Sequence, residues 1–113
     1  MIDGRTDRLT DYVSSTQYDQ HNSAVADGID GLGAALAYFA ENDMVMVYDE
    51  CHRVLGSGNF VLTMSEGRFG KAPGSHVAFY DLFRVENGMI VEHWDVIEEI
   101  PPRSEWKNDN GKF

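Results

Sequence analysis

The chain carries one cysteine and nine Lys and Arg in 113 residues, and each shortage removes a class of protein. A lone Cys51 cannot build an intramolecular disulfide framework, so a reducing, cytoplasmic setting is the expectation. Nine scattered cations face nineteen acids, for a formal net charge of −10. No basic stripe is left to meet phosphates, which argues against a nucleic-acid partner. No apolar run approaches the roughly 20 residues of a membrane span, and no signal-peptide pattern opens the chain. Internal repeats and low-complexity tracts are also missing. What is present is ordinary for a globular protein: 42% hydrophobic residues, with six Phe, five Tyr and two Trp. The length suits a single domain over residues 1–113 with a modest core.

Residues 1–16 are polar and turn-rich, with room for one helical turn around Arg8 to Val13. "YDQHNSAV" (Tyr18 to Val25) reads as a short strand or an extended arm. In "GIDGLGAALAYFAEN", Ile29, Leu32, Leu36, Phe39 and Ala40 recur at helical spacing. Asp30 is the expected N-cap, and Asn42-Asp43 the stop. From Met44 the pattern turns to strands. "MVMVYDECHRVL" and "NFVLTMSEG" meet at Gly56-Ser57-Gly58, "GRFGKAPGS" reads as a loop or wide turn, and "HVAFYDLFRV" and "MIVEHWDVIEEI" form a last hairpin. Pro101-Pro102 ends it, leaving residues 102–113 as a polar tail anchored by Trp106 and Phe113. One helix followed by a long antiparallel sheet is an α+β pattern.

The last hairpin holds the residues that need explaining. Asp81, His93 and Asp95 interrupt strands that otherwise suit a core. A two-residue Asn87-Gly88 turn would send Asp81 and Asp95 to opposite faces. A three-residue Glu86-Asn87-Gly88 loop, with Gly88 left-handed in a bulge, pairs Val85 with Met89. It places Phe79, Asp81, Phe83, Val85, Val91, His93, Asp95 and Ile97 on one face. It also sets Tyr80 opposite Trp94 and Arg84 diagonal to Glu92, pairs worth roughly 0.2–1 kcal/mol each. The side chains favour this register, with Asp81 directly across from His93. Two readings of the trio stand: a structural bridge between acids, or a pocket in which carboxylate and imidazole share a proton-transfer task.

At "QHNSAVADGIDGL", "HRVLGSGNFVLTMSEG", "FYDLFRVENGMIVEHWDVIEEIP" and the closing "DNGKF", the sequence resembles the SnoaL-like polyketide cyclases of the nuclear-transport-factor-2-like superfamily. The resemblance spans nearly the whole chain from Tyr12. It implies a cone-shaped α+β fold whose curved sheet wraps an apolar, small-molecule pocket, often as a homodimer through the outer sheet face. It also implies cofactor-free and metal-free aldol condensation, with the family's acid/base aspartate at Asp95. "DLFR" resembles the strand that carries the oxyanion-stabilising acid of ketosteroid isomerases, which maps that acid onto Asp81. His21-Asn22 stand where those isomerases keep their base, and Asn22 cannot abstract a proton. Relatives have a longer first helix than the dozen residues before the match allow, so the pocket is expected to be open, completed by a partner chain, or lost.

The catalytic candidates are therefore Asp95, His93 and Asp81, with His21, Asn22, Phe79 and Phe83 as substrate contacts. His21, His52 and His93 lack metal-ligand spacing, so no metal site is expected. "DECH" alternates, which would put Asp49 and Cys51 on one face and Glu50 and His52 on the other; Cys51 is expected to be a quiet, half-buried thiol. "GLGAAL" lacks the strand and third glycine of a dinucleotide site. Tyr80, Leu82, Ile90, Trp94 and Val96 would form an apolar outer patch suited to a homodimer. A non-catalytic module binding an apolar ligand or a protein partner is the alternative to an enzyme.

Overall fold

A computed structural model describes residues 9–113; Arg8, placed above in the first helical turn, lies outside them. The elements are α1 (Leu9–Tyr12), β1 (Asp19–Gln20), α2 (Gly28–Glu41), β2 (Met44–Ser57), β3 (Phe60–Lys71), β4 (Ser75–Glu86) and β5 (Met89–Glu99). A 3₁₀ turn at Arg103–Glu105 follows. The five strands form one curved sheet in the order β1-β5-β4-β3-β2. Every pairing is antiparallel except β1 on β5. No helix among the described residues is long and apolar enough to cross a membrane.

The helical spacing in α2 does what it suggests. Leu32 and Leu36 are buried with Leu9, Val13 and Tyr18, and Ile29 and Phe39 pack against them, while Ala40 faces outward. The helix starts earlier than Asp30: Asp27 is the N-cap, and its carboxylate accepts from the Gln20 backbone N–H at 2.8 Å instead of capping. Gly31, poor for helix propensity, is there for space. A Cβ at this position would lie 2.0 Å from the Ala26 carbonyl oxygen, where the entry loop folds back on the helix.

The sheet departs from the expected turns in three places. β2 and β3 meet at Gly58-Asn59, because both strands run further than their apolar cores suggest. The stretch expected as a loop is mostly strand, with β3 reaching Lys71 and a tight turn at Ala72–Gly74. The last hairpin has the two-residue turn, with Asn87 and Gly88 both left-handed at φ 52° and 78°. Asn-Gly is the pair that tolerates both angles. On its own that register would split the acids between faces. Instead β5 carries an extra residue, Val91, between the pairs Val85↔Ile90 and Arg84↔Glu92. The bulge restores the face. Asp81 is therefore across from Asp95, not His93, Phe83 faces His93, and Tyr80 faces Val96. Arg84 lies directly opposite Glu92, with Nε 2.7 Å from the carboxylate. Ile90, expected outside, packs against the core cluster.

Two more bulges bend β2, at Tyr48/Glu50 and Cys51/Arg53. They break the simple alternation of "DECH" and curve the sheet. Gly67 lets the bent strand pass: a Cβ there would sit 1.8 Å from the Val47 carbonyl oxygen.

Candidate functional site

Three strands and one short arm bring the site together. β4 contributes Asp81 and β5 contributes His93 and Asp95, all on the inner face. His93 Nε2 lies 2.8 Å from Asp81 Oδ1 and 3.9 Å from Asp95 Oδ2. From β2, the Tyr48 hydroxyl donates to Asp81 Oδ2 at 2.9 Å. Asp81 is 2% exposed, with both carboxylate oxygens engaged.

The arm supplies the other side. β1 runs parallel to β5 with Gln20 level with His93. Gln20 Oε1 accepts from the Asn22 backbone N–H at 3.0 Å and lies 2.9 Å from His93 Nδ1. An amide oxygen only accepts, so Nδ1 carries a proton and Nε2 is the atom turned towards the acids. Asn22 Nδ2 donates to Asp95 Oδ2 at 3.1 Å. Gln20 Nε2 donates to the Tyr18 hydroxyl at 3.1 Å, which fixes the amide.

Burial, reinforced by the Asp81 carboxylate, pushes the Tyr48 phenol far above its ordinary range. Tyr48 is therefore a permanent hydrogen-bond donor. Burial also raises Tyr18, against the lowering effect of its bond from Gln20. The donor atoms of Asp81, His93 and Asp95 lie within 4.8 Å of one another, close enough for a small divalent ion. Asp81 and His93 are bound to each other, while Asp95 is held by Asn22 and stands 3.9 Å from His93.

A cavity of about 150 Å³ opens beside Asp81, lined by Met46, Tyr48, Thr63, Ser65, Asp81 and Phe83, with Asp49, Glu50 and Cys51 also in its wall; His93 and Asp95 lie behind Asp81 and are not among its lining residues. A space of that size holds roughly one six-membered ring. Cys51 is exposed here, not half-buried, because the bulges turn this part of β2 out to solvent.

The expected substrate contacts separate. Phe83 is in the cavity wall. Asn22 is bound to Asp95. Phe79 is fully buried beneath Tyr48, with ring centroids 4.2 Å apart, so it supports a wall residue without being one. His21 points away: it stacks on Trp94 at 4.6 Å and lies 2.7 Å from Glu92. Tyr48, Gln20 and Tyr18 escaped the sequence reading. Gln20 and Asn22 alternate inward around an outward His21, the one local signal that marked Gln20. Tyr48 had none, being 33 residues from the acid it binds.

These features define an α+β domain with a wrapped sheet and a polar cluster on its inner face. No protein-family model and no curated protein sequence matches the chain. Solved structures do. An NTF2-like protein of unknown function from Burkholderia xenovorans is 19% identical, covering 97% of this chain and 86% of its own, with a TM-score of 0.67. A SnoaL-like polyketide cyclase from Agrobacterium tumefaciens is 13% identical over 86% of this chain and 81% of its own, TM-score 0.67. An epoxide hydrolase of the LEH-like kind from M. tuberculosis is 16% identical over 86% and 73%, TM-score 0.66. At these identities the likeness establishes the fold, which is the nuclear-transport-factor-2-like fold.

Proposed function

We propose that the chain is a cofactor-independent acid/base enzyme acting on a small carbonyl compound, with Asp95 as the proton-transferring group. The observation that carries this reading is the inequality between the two acids. Asp81 has both oxygens occupied, while Asp95 is the more exposed and, among the described residues, is held at Oδ2 alone, by Asn22. A base needs an oxygen that can reach a substrate proton. Polyketide-cyclase activity among proteins of this fold favours the same chemistry.

In the proposed reaction the Asp95 carboxylate takes a proton from carbon next to a carbonyl and becomes the acid. The electron pair moves to the carbonyl oxygen, whose charge is met by the proton held between Asp81 Oδ1 and His93 Nε2, which would have to be shared with it. The enolate carbon then bonds to a second carbonyl carbon, and the new alkoxide recovers the proton from Asp95. Atoms and charge balance without a redox partner. The test is deuterium exchange, followed by NMR, at the acidic carbon of a β-ketoester carried on a six-membered ring, the size the cavity admits. Acceleration above buffer alone is expected. Its absence across a panel of such esters would remove the enzymatic reading and leave a binding module.

Assembly as a homodimer belongs to the same proposal. On the outer face, Leu55, Leu62, Leu82 and Trp94 fall in one cross-strand row, with Met64, Tyr80 and Val96 in the next. Leu55 and Val96 are 57% and 64% exposed. The tail covers part of the second row, where the Tyr80 hydroxyl donates to the Lys112 carbonyl. Light scattering at micromolar concentration should give twice the chain mass, and Leu82→Glu should halve it. A wild-type monomer would sink the proposal.

A further inference from the structure

A second polar cluster lies on the outer face; it shares Glu50 with the wall of the inner cavity but none of Asp81, His93 and Asp95. Glu50 on β2 is the cross-strand partner of Glu66 on β3. Two carboxylates facing each other across strands repel, so the pairing needs a cation or a donor between them. Two imidazoles answer it from neighbouring strands. His52 Nε2 lies 2.8 Å from Glu66 Oε1 and 3.4 Å from Glu50 Oε2. His76 Nε2 lies 2.5 Å from Glu66 Oε2.

The backbone is shaped for this arrangement. His52 is the extra residue of the second β2 bulge, between the pairs Cys51↔Ser65 and Arg53↔Met64. Freed from the ladder, its ring lies over Glu66, and the Phe113 ring stacks on it with centroids 4.1 Å apart. One side of the cluster opens on a cleft of about 590 Å³, lined by Asp49, Glu50, Glu66, Arg68, Gly74 and His76.

We infer that Glu50, His52 and Glu66 form a binding site for a divalent transition-metal ion of the zinc class, with His76 holding the second oxygen of Glu66. The three donor atoms lie within 4.8 Å of one another. Zinc takes nitrogen and oxygen donors at about 2.0–2.2 Å, which sets tetrahedral donors about 3.3–3.5 Å apart. The His52–Glu50 separation already matches, and the His52–Glu66 pair needs to open by only about half an ångström. Imidazole with carboxylate suits zinc more than calcium or magnesium, which favour all-oxygen shells. The fourth position faces the cleft, where a water or an anionic ligand can reach it.

The experiment is calorimetric titration of the chelator-washed full chain with zinc chloride. One zinc per chain is expected. Glu66→Gln and His52→Gln, on different strands, should each lower affinity by more than about 100-fold, and His76→Ala by about 10–100-fold, the scale for losing an outer-shell partner. Asp95→Asn should leave binding unchanged. On unsubstituted protein, zinc should shift the ring-proton NMR signals of His52 and His76 and leave those of His93 in place, a readout that survives any variant failing to fold. No binding, binding that persists in both Glu66→Gln and His52→Gln, or binding lost with Asp95→Asn would each overturn the site.

Discussion

Replacing Asp95 with Asn should lower catalysed exchange by about 10²–10⁴-fold, the usual loss when a positioned acid/base group is removed. Asn keeps the shape and still accepts from Asn22 Nδ2, 3.1 Å away in the parent, through its amide oxygen. It loses only the ability to take a proton. The fold should not suffer. Asp95 lies directly opposite Asp81, so removing its charge relieves a like-charge pair. The thermal midpoint is expected to stay level or rise. Both quantities belong on the same preparation, because the competing view makes the opposite forecast. If the acids serve only architecture, the midpoint falls clearly while the exchange rate stays that of the parent, and Asp95 drops out of the mechanism.

That the trio shares one inner face was legible in the chain, though the route to it was not. Side-chain partition in "YDLFRVENGMIVEHWDV" pointed to a common face for Asp81, His93 and Asp95, and the structure has it. The turn reading was the error. Asn-Gly kept its ordinary two-residue geometry, and a bulge at Val91 made up the phase. A single extra residue in a strand leaves no compositional mark, whereas the face it restores does. The same limit hid the two β2 bulges, and with them the exposure of Cys51 and the placing of His52 over Glu66. Helix α2 was readable because Leu32 and Leu36 repeat at its period, but its start was not, since Asp27 spends its carboxylate on Gln20.

Long-range partners form the other blind spot. Tyr48 meets Asp81 across the intervening β3 strand, and no spacing rule links residues 33 positions apart. Gln20 reaches His93 because β1 pairs in parallel with β5, a contact between the start and end of the fold. Without the arm, nothing would fix His93 Nδ1 as the protonated nitrogen, and Nε2 would have no assigned role. The short strand thus decides which way the imidazole can pass a proton.

Asp81 separates structure from chemistry most sharply. Asp81→Ala should cost about 3–5 kcal/mol of stability, the scale for stranding one member of a buried pair. The reason is what it leaves behind. His93, 8% exposed at its side chain, loses the partner of Nε2, and the Tyr48 hydroxyl loses its acceptor beneath the inner face. The midpoint should drop on the order of 15 °C for a chain of this length. Asp81→Asn should be milder. With a proton on Nδ1, a neutral His93 can accept at Nε2 from the substituted amide's N–H, while Tyr48 donates to the amide oxygen. The order Ala far below Asn, and Asn close to the parent, would show that the cluster is held by hydrogen bonds that one neutral amide can replace. Urea unfolding of the three proteins gives the comparison. An Asp81→Ala protein within about 1 kcal/mol of the parent would mean that water fills the gap, and that the inner face is wetter than its geometry indicates.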